Sequence, residues 1–474
     1  MKPSTVLAAC VWLAAAAVPA QASKDKSYEF DPACYDEADV LTRDVAVVGG
    51  GATGTYAAIK LGDMNQTVVL VEREEILGGH TNTYIDPGTG TPIDYGVSNY
   101  QNISVALDFF ARFNISVIEF TGGTPSQTVY ADFHTGEIFP NTTIPVANYT
   151  AYLAQLARFP YLATSWDLPS PVPEDLLLPF GQFIEKYSLQ EVAYAVYAHA
   201  QGAGDLLNQT TVYVLKAFDA LYISGFSGGD ITPANHNSHE IYDKALTELG
   251  SNALVSSTVL AGQRSTNSSG VKLVVKTPTG NKLIVASKLI VTIPPTLSNM
   301  KPFGLDSTEK RVFRDFISRG LYVGLIADTG LPAGFSYDNI GANTTYHVPT
   351  LPGLYSVNPT AVEGIFWIWY GSDSILPDAY VQNDTLAAIE RLRIAVSNSS
   401  TTASNATGRF VAYNSHSPYD VSVSADEIRS GFYNHLDALQ GYRNTWYTGG
   451  AFLAYHSAPL WNFTQALLPQ VIGA

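Results

Sequence analysis

A chain of 474 residues, 46% of them hydrophobic, is long enough for two or three domains with sizeable cores. Its net charge of −16 repels phosphate backbones and excludes nucleic acid as an expected partner.

The first stretch reads as a processing signal. Lys2 supplies a short positive region, Val6 to Val18 is apolar, and Ala20-Gln21-Ala22 fits an A-x-A cleavage site. The stretch is too short and wrongly flanked for a stable membrane span. Residues 1–22 are therefore expected to leave, and 23–42 to form an irregular arm. Twelve N-x-[ST] sequons begin at Asn65, Asn102, Asn114, Asn141, Asn148, Asn208, Asn267, Asn343, Asn383, Asn398, Asn405 and Asn462. They take half of the chain's 24 asparagines, a density that favours a secreted, N-glycosylated protein. Cys10 goes with the signal, which leaves Cys34 and no internal disulfide.

Next comes the most informative segment. Val45 to Val48 is a short run of apolar residues, as in a parallel strand covered on both faces. Gly49, Gly51 and Gly54 follow with G-x-G-x-x-G spacing, and Ala52 and Thr53 open a helix. Thr67 to Val71 is a second buried strand that ends on Glu72, 23 residues after Gly49. Gly49 permits the tight turn, Gly51 lets a pyrophosphate approach the backbone, and Gly54 lets helix and strand pack closely. The helix N-terminus favours phosphate, and Glu72 is placed to accept hydrogen bonds from a ribose diol. Together these features specify a dinucleotide site.

Farther along, Val271–Lys276 and Lys282–Ser287 bracket Pro278-Thr-Gly-Asn281 and predict a β-hairpin. Lys288–Ile293 predicts another buried strand that stops at Pro294-Pro295. Leu386, Ile389, Leu392 and Val396 have the spacing of a one-sided helix. Thr445–Thr448 predicts a last strand, followed by Gly449-Gly450 and a helix to about Leu468.

Further motifs select the dinucleotide. Glu72-Arg73, then Gly78-Gly79-His80 and Thr83, resembles the second fingerprint of the flavin-containing amine oxidoreductase superfamily. Asp94-Tyr-Gly96-Val97 resembles its D-x-G segment near the flavin ring, and Val259 stands in the strand whose backbone meets adenine. Thr292-Ile-Pro-Pro-Thr296 resembles its I-P-P corner, and Tyr447-Thr448-Gly449-Gly450-Ala451 its C-terminal flavin motif. The arrangement is most similar to secreted fungal flavoproteins of the β-cyclopiazonate dehydrogenase type. His80 departs from the family's arginine, so a fixed charge on the phosphates becomes conditional on pH.

The resemblance implies FAD and an α/β fold: a discontinuous Rossmann-like FAD-binding domain of the glutathione-reductase/amine-oxidase type, with a second α+β substrate domain on a mixed sheet. The FAD domain would use residues 43–100, 235–300 and 440–474, and the substrate domain 101–234 and 301–439. It further implies an oxidoreductase that removes a hydride from a C–H next to nitrogen, or within a conjugated hydrophobic metabolite. The substrate would be small, hydrophobic and nitrogen-containing. Electrons would pass to oxygen or another external acceptor. Lys301 resembles the lysine that monoamine oxidases bring to a water beside the flavin. Alternation along Phe366–Tyr370 puts Phe366, Ile368 and Tyr370 on one side and Trp367 and Trp369 on the other. Trp369, Tyr370 and Tyr447 are the substrate-contact candidates.

Two other readings are open. The chain could be a degenerate flavin- or ligand-binding protein, given His80. Gly225-Phe-Ser227-Gly-Gly229 also matches the hydrolase elbow G-x-S-x-G, although Asp230-Ile-Thr-Pro233 is poor material for the helix that elbow needs. His236 and His239 have helical spacing for a metal, but no third ligand is evident.

Overall fold

A computed structural model describes residues 30–140, 142, 144, 146–265, 270–397 and 407–473. The signal stretch, residues 23–29 of the proposed arm, and the sequons at Asn141, Asn267, Asn398 and Asn405 lie outside the described residues.

The glycine-rich segment builds the unit its pattern demands. β1 (Val40–Val48) leads through the turn into α1 (Ala52–Asp63) and then β2 (Val68–Val71). The same sheet takes β3 (Ala253–Leu254), β4 (Thr258–Arg264), β5 (Val271–Thr277), β6 (Gly280–Val291) and β7 (Thr445–Tyr447). Strands β3, β2, β1, β6 and β7 run parallel, and β4 and β5 add an antiparallel meander at β6. The expected hairpin is present, with Thr277 paired to Gly280. The strand expected over Lys288–Ile293 is not separate. It continues β6, whose first half pairs with β5 and whose last three residues pair with β7.

The apolar run in β1 is continuous because both faces are covered. Ala46 and Val48 enter one core, whereas Val45 and Val47 enter another with Tyr56, Ile59 and Trp461. Trp461 belongs to α2 (Ser457–Gly473), which packs on α1 and donates its indole N–H to the Ala52 carbonyl at 3.0 Å. This helix starts later than the sequence pattern implies. A short 3-10 turn, Gly450–Phe452, separates it from Gly449.

The second lobe is built on a mixed sheet. Ile317–Ala327 lies between Arg409–Ser415 and Phe366–Ser372, and the sheet continues through Gly353–Pro359, Phe335–Asn339 and Gln127–Asp132. Only the pairing of Phe335–Asn339 with Gln127–Asp132 is parallel among the strand pairs named in this sheet. Helix Asp378–Ser397 covers one face with Ile389 and Leu392, as the periodicity predicts. The nucleotide unit extends past residue 100. Helix Ser104–Arg112 contributes Phe109 and Phe110 to the core that holds Val45, Val47 and Trp461.

Candidate functional site

Both lobes and both ends of the chain meet at one cleft of about 470 Å3. Its floor is where two glycine loops touch. Gly51 caps α1 without a side chain, and the Gly78 amide donates to the Gly50 carbonyl at 2.8 Å. A Cβ on Gly79 would lie 2.9 Å from the Gly51 Cα, so the second loop could not come this close with a side chain at residue 79. Gly54 acts beneath the cleft: a Cβ there would sit 1.8 Å from the Gly49 carbonyl oxygen.

The walls come from distant segments. Thr292, at the end of β6, donates its hydroxyl to the Val48 and Gly49 carbonyls at 3.1 and 3.0 Å. The Thr448 amide donates to the Val291 carbonyl at 3.1 Å and holds Gly449 in the cleft lining beside Thr292. Glu72 accepts from the Gly50 amide at 2.6 Å and from the Glu74 amide at 2.9 Å. Arg73 is exposed and pairs with Glu74 at the rim.

Of the expected cofactor residues, Gly49, Gly51, Ala52, Thr53, Glu72, Arg73, Gly78, Gly79, His80, Val97, Val259, Thr448, Gly449 and Gly450 line this cleft together. Gly54 and Gly96 do not. Gly96 is a spacer, because a Cβ on it would fall 2.0 Å from the His80 carbonyl oxygen.

The cleft fits a dinucleotide. Glycine amides line one side, a carboxylate stands at the end of β2, and the Cβ-free gap at Gly51 and Gly79 allows close backbone approach. FAD would be held by these two loops, by Glu72 and by the Gly449 turn. Once bound, it supplies the hydride acceptor.

His80 meets a partner that sequence reading missed. Its ring stacks on His416 at 4.2 Å and 14°. Burial pushes His80 down to about 4, helped by the Arg73 charge, and pushes His416 well below its ordinary value. Both rings are therefore neutral at neutral pH, and the position carries no fixed charge. His416 also makes a 3.1 Å contact to the Asn82 side-chain oxygen, which bridges the two lobes at the cleft. His239, considered above as a metal ligand, instead contacts the Leu77 carbonyl at 2.8 Å and braces the Gly78-Gly79 loop.

The catalytic and substrate candidates fare differently. Lys301 is exposed and lies outside the cleft lining. Thr296 caps the short helix Leu297–Met300, and the chain then buries Met300 and Phe303, which turns Lys301 outward. Tyr370 is buried in the core of the second lobe and donates to Asp384 at 2.8 Å. Tyr447 is buried beneath β7, with its hydroxyl 3.2 Å from Glu309. Alternation along each strand sends these two tyrosines away from the cavities. Trp369 lines a smaller cavity with Trp367, across the Asp94–Ser98 segment from the cleft. Asp94 faces that cavity as well. It accepts from Thr83 and from the Ser238 amide, and burial raises its carboxyl to about 6.

The hydrolase reading fails on chain order. Helix Ala220–Ser224 enters the Ser227 turn and strand Asp230–Pro233 leaves it, the reverse of a nucleophile elbow.

The family model described as an NAD(P)-binding Rossmann-like domain matches residues 47–113, which includes the extension of the nucleotide unit past residue 100. The FAD-dependent oxidoreductase pigF of Monascus ruber is 42% identical over 92% of this chain and 94% of its own length. The beta-cyclopiazonate dehydrogenase of Aspergillus oryzae is 32% identical over 93% of this chain and 95% of its own. A redesigned putrescine oxidase shares the fold at a TM-score of 0.64 and 15% identity, over 92% of this chain and 99% of that one. Relatives at this identity and coverage, together with a cleft that fits a dinucleotide, place the chain in the family of FAD-dependent oxidoreductases that includes beta-cyclopiazonate dehydrogenase, with FAD as its cofactor.

Proposed function

We propose that the protein is a secreted, N-glycosylated enzyme that oxidises a small hydrophobic metabolite. A hydride leaves a C–H next to nitrogen or within a conjugated skeleton, and electrons then pass to oxygen or another external acceptor. The observation that carries this reading is the placement of the Trp367 and Trp369 face beside the cofactor cleft, with only the Asp94–Ser98 segment between them. An aromatic wall there suits a conjugated or amine-bearing substrate. The beta-cyclopiazonate dehydrogenase relative, by its name, dehydrogenates beta-cyclopiazonate. Secretion draws support from the eight sequons within the described residues, since Asn65, Asn102, Asn114, Asn148, Asn208, Asn343, Asn383 and Asn462 are all exposed. No helix among the described residues is long and apolar enough to cross a membrane.

The test is anaerobic mixing of the FAD-loaded protein, purified from culture medium, with a panel of amines and indole metabolites. Bleaching of the flavin absorbance by a member of the panel is the expected result. A flavin that no panel member reduces counts against this substrate class and favours a ligand-binding role.

A further inference from the structure

Two smaller cavities adjoin the cofactor cleft. One, of about 50 Å3, shares Gly450 and Tyr455 with it and continues past Lys216 and Tyr419. The other, of about 170 Å3, holds Trp367 and Trp369. His199 and Gln201 line both, so the three spaces form one series from the glycine turn to the tryptophans.

His199 ends helix Ala193–His199 and stands at the junction. Phe226, Phe218 and Tyr222 surround its ring at 4.6, 6.2 and 6.4 Å. The turn Gly225–Gly229, left without a role once the hydrolase reading fails, is what brings Phe226 there. Its side chain is open to the cavities, and its imidazole nitrogens have no hydrogen-bond partner among the described residues. The surrounding protein lowers its pKa to about 4, which leaves a neutral ring with one donor and one acceptor nitrogen. The Trp367 indole N–H, by contrast, is buried without a partner among the described residues. An unpaired buried donor is costly, and a ligand that accepts from the Trp367 N–H recovers that cost, while the exposed His199 ring offers the same ligand a second polar contact.

We propose that His199 is a specificity-determining hydrogen-bond acceptor for the substrate, and that the Trp367–Trp369 chamber takes a flat conjugated ring system carrying a hydroxyl or N–H. This deepens the function proposed above and rests on substrate binding beside the flavin. Trp367 and Trp369 project from one face of a single strand, which suits a planar ring, and His199 supplies the polar contact at its edge.

The experiment titrates FAD-loaded protein with 2-naphthol, 2-methoxynaphthalene and naphthalene, reading flavin absorbance and tryptophan fluorescence. 2-Naphthol, which alone can donate, is expected to bind about tenfold tighter than its methyl ether. His199→Phe should abolish that preference, and His199→Gln, which keeps an acceptor, should retain it, with flavin content equal in all three proteins. A preference that survives His199→Phe overturns the assignment, as does a failure of every probe to move either signal. A tryptophan response with a silent flavin spectrum, with the preference lost in His199→Phe, upholds the His199 contact and overturns instead its placement beside the flavin. Should His199→Phe fail to fold, Trp369→Leu decides: affinity for all three probes must fall about fivefold, and unchanged affinity overturns the chamber.

Discussion

The Glu72 carboxylate accepts a hydrogen bond from the Gly50 amide at 2.6 Å and so ties the end of β2 to the turn that leaves β1. An acid at this position is usually read for what it offers a ribose. Here it also braces the protein. A carboxylate has roughly four acceptor sites, so two backbone amides leave room for a diol. Glu72→Ala removes both contributions. Charge-assisted hydrogen bonds contribute about 1.5–3 kcal/mol each, so FAD affinity should fall about tenfold to a hundredfold. Fluorescence titration of the apoprotein with FAD measures this, and an unchanged affinity would remove Glu72 from the site.

The three glycines of the first loop separate folding from binding. A Cβ on Gly51 would meet nothing nearer than the Gly79 Cα at 3.8 Å, and Gly51 caps α1 at an ordinary φ of −70°. Gly51→Ala should therefore fold with a nearly unchanged thermal midpoint yet lose FAD, because the methyl group occupies the space a pyrophosphate approaches. Gly54→Ala drives a methyl group into the Gly49 carbonyl and should destabilise the fold itself. Melting curves and flavin content, measured on both variants, tell the two effects apart.

Arg264 and Glu309 form an ion pair at 2.7 Å with neither side chain exposed, and Arg443 joins Glu309 at 2.9 Å. Together they sit under Tyr447, whose strand leads into the Gly449 turn. Glu309→Gln leaves a buried guanidinium with a weaker partner. The expected cost is about 3–5 kcal/mol, read from urea unfolding of the apoprotein. A loss below about 1 kcal/mol would show that water or a neighbouring oxygen satisfies Arg264 instead.

The stacked His80 and His416 make stability depend on pH. His80 titrates at about 4 in the folded chain against 6.5 for an ordinary histidine. Between those values the unfolded chain binds more protons. The stability that neutral His80 allows is complete above this window and is lost as pH falls through it. Asp94 and Asp338, both raised to about 6, act with the opposite sign over part of the window. The readout is therefore the difference between wild type and His80→Asn. That difference should shift against wild type by up to about 1.4 kcal/mol per pH unit between pH 6.5 and about 4. A difference that stays constant across the window would mean that His80 titrates normally.

Local physics made much of this site legible. An apolar run covered on both faces, three glycines and an acid at fixed spacing dictate β1, α1 and β2 without help from elsewhere. The hairpin and the one-sided helix were equally plain. What escaped was either distant in sequence or hidden by strand alternation. Nothing near His416 announces that it will stack on a ring more than three hundred positions earlier. His239 carries no local mark of bracing the Leu77 carbonyl. Tyr447 and Tyr370 belong to segments that do shape the cavities, but their own side chains face the other way. Lys301 illustrates the cost of register. The turn that begins after Met300 delivers the lysine to solvent, so Lys301→Met should leave the rate of flavin reduction unchanged.

Residues 49 and 449 both line the cleft. A ribosome must therefore release nearly the whole polypeptide before the pocket can close. Flavin uptake is a late event in the life of each molecule, and any C-terminal truncation that removes the final glycine turn yields a chain that has completed β1 and α1 yet can never retain its prosthetic group.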